Sequence, residues 1–400
     1  MDPEIVRRYA DLIVEVGANV QPGQIVFVTA EPRAAPLVRA IATSAYRRGA
    51  TFVDAWYFDP LVKRARLEHA DEDTLDFVPP WWLERFVELG EQRCARITLT
   101  PITPPGALDD VPSARAARDV LPTVPNLFDV INARTTNWNI APWPSPEWAR
   151  LLERELDDVD ALASLWSKLA FVLRLDEPDA AEAWRVRLRE LHDAARRLDD
   201  QQFDALRFEG PGTDLTVGLL PTSRFAGETT GMQTVEGIVF APNLPTEEVA
   251  TTPDPARVDG VVAATKPLDV SGTLVRGLRV RFERGRAVDI DADENADVLR
   301  RRASVDDGAS RLGEVALVDR SGRIGRTGTI FFNTLLDENA ASHLALGNGY
   351  AVGVGEEDVP RINRSAIHVD FMVGGDDVAV TGVTRDGGEV PVLRGGLWQL

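Results

Sequence analysis

Four hundred residues, 44% hydrophobic and 27% charged, exceed the ~250–300 at which a single core stops growing, so two domains are expected and a disordered or collagen-like chain is excluded. Sixty-three acidic against 44 basic residues give a net charge of −19, which repels nucleic acid and anionic membranes, and no local basic patch offsets it. No run reaches the ~18 uninterrupted apolar residues of a membrane span, and a cytoplasmic protein is expected.

The chain opens with MDPEIVRRYADLIVEVGANV, an acidic amphipathic helix where a secretory signal would need a basic start and an apolar core. GQIVFV then reads as a short buried strand, APLVRAIATSAYRRG as a helix and TFVDAWYF as a second strand. That strand–helix–strand order predicts a parallel α/β layer. The turn after the first strand, TAEPR, has no glycine, so the dinucleotide fingerprint is missing. Cys94 is the single cysteine; it forms no internal disulfide, and any thiol chemistry would rest on it alone. From Trp148 to about Asp200 apolar residues recur at three- and four-residue spacing, predicting helices that bridge two domains.

Beyond Phe203 the pattern becomes β. ALRFEG, TDLTVGLL, GIVFAP, GTLVRGLRVRFERGRAVDIDAD, VALVD, GTIFFNTL and DVAVTGV read as strands separated by Gly, Asp, Pro and Asn, with one helix at ENAASHLAL. The predicted class is α/β, with an N-terminal parallel α/β domain and helical bridge over 1–202 and a β-rich α+β metal-binding domain over 203–400.

Four histidines are few enough for their positions to matter. His69 and His192 lie in charged helical stretches, where solvated imidazoles are expected. In SAIHVDFMVGG, strand alternation sends His368 and Asp370 to the same face, as two ligands of one divalent cation require, although a structural His–Asp pair would look the same. His343 falls in LLDENAASHLALGNGY, where Asp337 can cap a short helix; Asp337 and Glu338 are either ligands or the acidic first turn a helix dipole favours. Tyr350, seven positions on (350 − 343), can fold its phenol back beside His343 if the intervening glycines break that helix. Glu314 in RLGEVALVD and the pair Glu247–Glu248 in APNLPTEEVATTPD are acids in apolar settings. Together these donors are too many for one metal and enough for two.

NLPTEEVATTPD, TKPLDVSGTLV, RLGEVALV, FFNTLLDENAASHLALGNGY and HVDFMVGG resemble the consecutive motifs of the thermophilic metalloaminopeptidases, the aminopeptidase T and aminopeptidase S group. The resemblance implies a metal-binding glutamate in PTEE, further ligands at Glu314, His343, His368 and Asp370, Tyr350 as part of the site, and a homodimer. Of the adjacent pair, Glu248 is taken as the ligand, because its separation of 66 from Glu314 (314 − 248) matches the family spacing; Glu247 is expected to point away and support the site. Ala250 and Phe225 stand where the family often has phenylalanine and tryptophan.

The expected activity is release of N-terminal amino acids from peptides by water activated between two divalent metal ions, zinc, cobalt or manganese. Glu314 is the expected base and Tyr350 the expected donor to the developing oxyanion. The rival readings are another dinuclear hydrolase, acting on amides or phosphate esters, and a non-enzymatic module that binds metal structurally.

Overall fold

The computed structural model describes residues 2–116, 118–119, 121–122, 126–227 and 232–400. They group by contact into two compact units, Met1–Arg189 with Met232–Thr246, and Glu190–Gly231 with Glu247–Leu400.

The first unit carries a four-stranded sheet in the order β2-β1-β3-β4, with β1 Ile25–Ala30, β2 Phe52–Tyr57, β3 Ala95–Thr100 and β4 Trp138–Pro142. All its pairings are parallel, and the helix Ala35–Arg47 connects β1 to β2 as expected. Val26 to Ala30 are all buried, the mark of a parallel strand covered on both faces. Phe27 packs with Trp82, Phe86, Leu89 and Cys94 in one apolar cluster. Burial there pushes the Cys94 thiol up to about 11, which leaves it protonated and inert at neutral pH.

GIVFAP also belongs to this unit, and it is not a strand. Its backbone meets β4 around one residue: the Ile140 N–H donates to Pro242 O at 2.6 Å, and the Leu244 N–H donates to Ile140 O at 2.9 Å. Pro242 and Pro245 have no N–H to extend a ladder, so the apolar run stops at a bridge.

The second unit is β-rich. One sheet has the order β13-β12-β9-β6-β5-β17-β18-β19, formed by β5 Phe203–Gly210, β6 Thr213–Leu219, β9 Pro253–Ala263, β12 Arg279–Glu283, β13 Arg286–Asp291, β17 Ala379–Thr384, β18 Glu389–Arg394 and β19 Leu397–Trp398. A short ribbon pairs β10 Leu268–Val270 with β11 Thr273–Val275. The sheet that matters most here is β16-β15-β14-β8-β7, made of β7 Ala226–Gly227, β8 Glu248–Thr251, β14 Leu312–Val318, β15 His343–Gly347 and β16 His368–Met372. Every pairing in this unit is antiparallel, which tight turns allow. At the β12–β13 turn Arg284 (φ 48°) and Gly285 (φ 83°) both take positive φ, as a two-residue hairpin requires. A Cβ on Gly285 would lie 1.9 Å from Pro255 O, so only glycine fits there. The parallel first sheet and antiparallel second unit agree with the predicted α/β class.

Two further predicted elements differ. GTIFFNTL is not a strand, because the N–H groups of Phe331 and Asn333 donate to the Asp337 carboxylate at 2.9 and 3.1 Å in place of a neighbouring strand. The predicted helix at ENAASHLAL is confined upstream to Thr334–Glu338, with Asn333 and not Asp337 at its N-cap position and no side-chain cap bond there. His343 instead begins β15, whose five residues are all buried between β14 and β16, so sheet pairing on both edges overrides helical spacing. Among the described residues no helix is long and apolar enough to cross a membrane.

Candidate metal centre

Sheet register assembles the site. Across β15 and β16, His343 pairs with Met372, Ala345 with Asp370 and Gly347 with His368, so His343, His368 and Asp370 share one face. Glu314 pairs with Ala345 and Ala316 with His343, which puts Glu314 on that face too. Glu248 opposes Val318 while Ala250 opposes Ala316, which adds Glu248. Five donors from four adjacent strands thus project from one side of one sheet, with Ala250, Ala316 and Ala345 leaving room between them. A bulge at Gly313 sets the parity of Glu314: the register slips between Leu312 and Glu314, and a Cβ on Gly313 would lie 2.3 Å from Asn348 O.

The donors converge in three overlapping groups, Glu248 with Glu314 and His343, Glu314 with His368 and Asp370, and Glu338 with His343 and Asp370; within each, the potential ligand atoms lie within 4.8 Å of one another. His343 Nε2 is 3.0 Å from Glu248 Oε2, and His368 Nε2 is 3.3 Å from Asp370 Oδ1. On the far side of each ring, His343 Nδ1 is 3.0 Å from Glu338 O and His368 Nδ1 is 2.8 Å from Asn348 O. A carbonyl oxygen only accepts, so Nδ1 carries the proton and a neutral ring turns the Nε2 lone pair toward the carboxylates. Ligating imidazoles are oriented in this way.

Charge is the dominant feature. Glu248, Glu314, Glu338 and Asp370 crowd two imidazoles with little or no exposure to solvent. Burial pushes Glu314 up from its ordinary value, against the pull of His343 and His368. Burial pushes Glu338 up further, reinforced by the charges of Asp370 and Glu248. Burial opposes protonation of His343, but hydrogen bonds to Glu248 and Glu314 more than reverse this and hold it well above 6.5. Against the same burial cost, Asp370 raises His368 to about 9, and His368 in turn keeps Asp370 below its usual value. Four buried carboxylates need more positive charge than two imidazoles supply, and divalent cations fit that deficit and this mixed nitrogen and oxygen donor set.

Tyr350 stands beside His368, not His343, with ring centroids 4.8 Å apart; with β15 extended in place of a helix, Tyr350 is carried to the neighbouring strand. Burial, followed by the charge of Glu314, pushes its hydroxyl well above 10, so it remains a hydrogen-bond donor at neutral pH. Glu247 Oε1 accepts from the Arg323 N–H at 3.1 Å, and the Glu247 N–H donates to Asn339 Oδ1 at 2.7 Å. His69 is 80% exposed beside Glu68, and His192 lies on the helix Ala180–Asp199, outside all three donor groups. Glu338 joins a donor group; the sequence left it open as either a ligand or an acid of a helix's first turn, outside the five expected ligands. Its signal was its adjacency to the buried Asp337 and its place five residues before His343 (343 − 338), in a segment too apolar for a solvated acid.

Convergent buried imidazoles and carboxylates on a sheet face are a donor set that fits divalent metal ions. A profile of the thermophilic metalloprotease (M29) family matches residues 3–398; the chain belongs to that family and so to the metal-dependent hydrolases. It is 40% identical over 408 residues to aminopeptidase T of Thermus aquaticus, covering 99% of this chain and 98% of that protein. It is 37% identical over 402 residues to aminopeptidase 2 of Geobacillus stearothermophilus, covering 98% and 97%. The solved structure of wild-type AmpT from Thermus thermophilus matches with a TM-score of 0.86 at 38% identity, covering 99% of each chain.

Proposed function

We propose that the protein is an aminopeptidase that removes N-terminal amino acids from peptides with two divalent metal ions, acting as a homodimer, as the motif resemblance implies, and in the cytoplasm, the compartment expected from the sequence. The observation that carries this reading is the position of Glu314, which belongs to two donor groups at once. Glu248, Glu314 and His343 would hold one ion, and Glu314, His368 and Asp370 the other, with Glu338 beside His343 and Asp370. Such ions, when bound, supply Lewis acidity toward the scissile carbonyl and lower the pKa of water.

The chain's own residues divide the remaining work. Glu314 shares its carboxylate between holding an ion and proton transfer, taking the proton from the attacking water on an oxygen not engaged with an ion and returning it to the leaving amine. Tyr350 donates its hydroxyl hydrogen to the developing oxyanion. The acid-rich surroundings accept the substrate's free ammonium, because a desolvated cation needs an opposite charge beside it. Full-length relatives named aminopeptidases support this assignment.

The test compares leucine p-nitroanilide, its N-acetylated form and an aryl phosphate. Cleavage of the first alone is expected. Equal cleavage of the acetylated anilide removes the exopeptidase reading, and cleavage of the phosphate alone replaces the substrate class.

A further inference from the structure

A cavity of 180 Å³ opens in the second unit, lined in part by Ala340, Ala341 and Ser342, the three residues that run up to His343. Cavities of ~150 Å³ admit a benzene-sized ligand, so this one has room for a small molecule. Its walls carry two kinds of chemistry. Ile324, Ile330, Val378, Val380 and Leu393 make an aliphatic lining, while Lys266, Arg320 and Asp376 supply charge. Gly375 keeps one wall low: the nearest atom to a Cβ there would be Thr265 Cγ2, at 3.9 Å.

The cations are poised for an anion. The Lys266 side chain is 17% exposed, and its Nζ forms a long ion pair with Asp337, at 3.9 Å. A mostly buried lysine held only by so long an ion pair favours a further anionic oxygen. Arg320, half exposed, lies 3.1 Å from Asp376 through Nη1 and donates through Nε to Gly395 O. In a chain of net charge −19 with three lysines, two cations line one small cavity and can take a carboxylate alongside their partners Asp337 and Asp376. Asp376 beside them offers a seat for an ammonium, and the aliphatic wall one for an alkyl side chain. A bare inorganic anion would leave that wall unfilled.

We propose that this cavity binds a free aliphatic α-amino acid of about leucine size, with its carboxylate toward Lys266 and Arg320 and its ammonium toward Asp376. The link to function rests on the aminopeptidase reading, since such an amino acid is the product of that reaction. Bound there, it would touch the segment leading into His343 without entering the metal centre, so product would register at the backbone of the site.

Calorimetric titration of L-leucine into metal-replete full-length protein tests this, with Arg320→Met and Gly375→Leu as variants and leucinamide and inorganic phosphate as comparison ligands. The expected result is leucine binding that Gly375→Leu abolishes and that Arg320→Met or loss of the ligand's carboxylate weakens about tenfold or more, as loss of a charged hydrogen bond does. Anilide turnover should persist in both variants. An identical leucine isotherm in wild type and both variants overturns the proposal, as does phosphate binding that depends on Arg320 with no heat from leucine. If wild type lacks anilide turnover while leucine binding still follows Arg320 and Gly375, the aminopeptidase reading fails and the amino-acid site stands.

Discussion

The two carboxylate oxygens of Glu314 face different imidazoles: Oε1 lies 3.8 Å from His343 Nε2, and Oε2 lies 3.6 Å from His368 Nε2. One side chain therefore connects both halves of the donor set. The Gly313 bulge gives it the parity to do so, and the paired alanines around it leave the space.

Tyr350→Phe separates binding from chemistry. The phenol sits against His368 and stays protonated, which makes it a poor metal ligand, so metal content and KM should hold. The kcat for leucine anilide should fall ~10²–10³-fold, as on removal of one oxyanion donor. A kcat within error of wild type would remove Tyr350 from the mechanism.

Glu247 and Glu248 should behave differently despite adjacency. Glu248→Gln should lower bound metal per chain, because its oxygen faces His343 Nε2. Glu247→Gln should keep metal and weaken activity by roughly 10–100-fold, the usual effect of losing support around a ligand. Its carboxylate meets the Arg323 N–H, and its backbone is tied to Asn339, beside Glu338. Metal analysis of the two variants decides, and a loss confined to the Glu247 variant reverses the assignment.

Much of this arrangement was legible because strand alternation is local information. His368 and Asp370, two apart, had to share a face wherever β16 paired, and Glu247 and Glu248 had to diverge. The readings that missed depended on distant partners. SHLAL carries helical spacing, and only β14 and β16 on its two edges make it a strand. Tyr350 was placed beside the wrong histidine for the same reason. GTIFFNTL is the exception: its apolar run reads as a strand, but the Asp337 carboxylate, four and six residues on, takes up the N–H groups of Asn333 and Phe331. The return of Met232–Thr246 to the first unit rests on pairing with Ile140, about a hundred residues away.

The histidines should divide two and two. His343→Ala and His368→Ala should lose metal and turnover together, whereas His69→Ala and His192→Ala should leave both unchanged, since neither joins a donor group. Metal loss at His192 with none at His368 would contradict the site.

Metal-free protein should show an inverse dependence of stability on pH. His368 is raised from 6.5 to about 9 by its carboxylate neighbours against the cost of burial. A raised folded-state pKa contributes stability that is fully present below 6.5 and is lost as pH rises through about 9. Glu314 and Glu338, raised by burial, act in the same sense. The Tm of chelated protein should therefore fall between pH 6.5 and 9, while metal affinity rises over the same window as protons leave the imidazoles. A chelated Tm that climbs across this window would contradict the charge balance described for the site.

The most direct measurement is metal reconstitution. Protein stripped by chelation should have no leucine anilide turnover, and titration with zinc, cobalt or manganese should restore it as binding approaches two ions per chain. Full turnover in persistently metal-free protein, or metal uptake with no turnover on any aminoacyl anilide, would contradict the account.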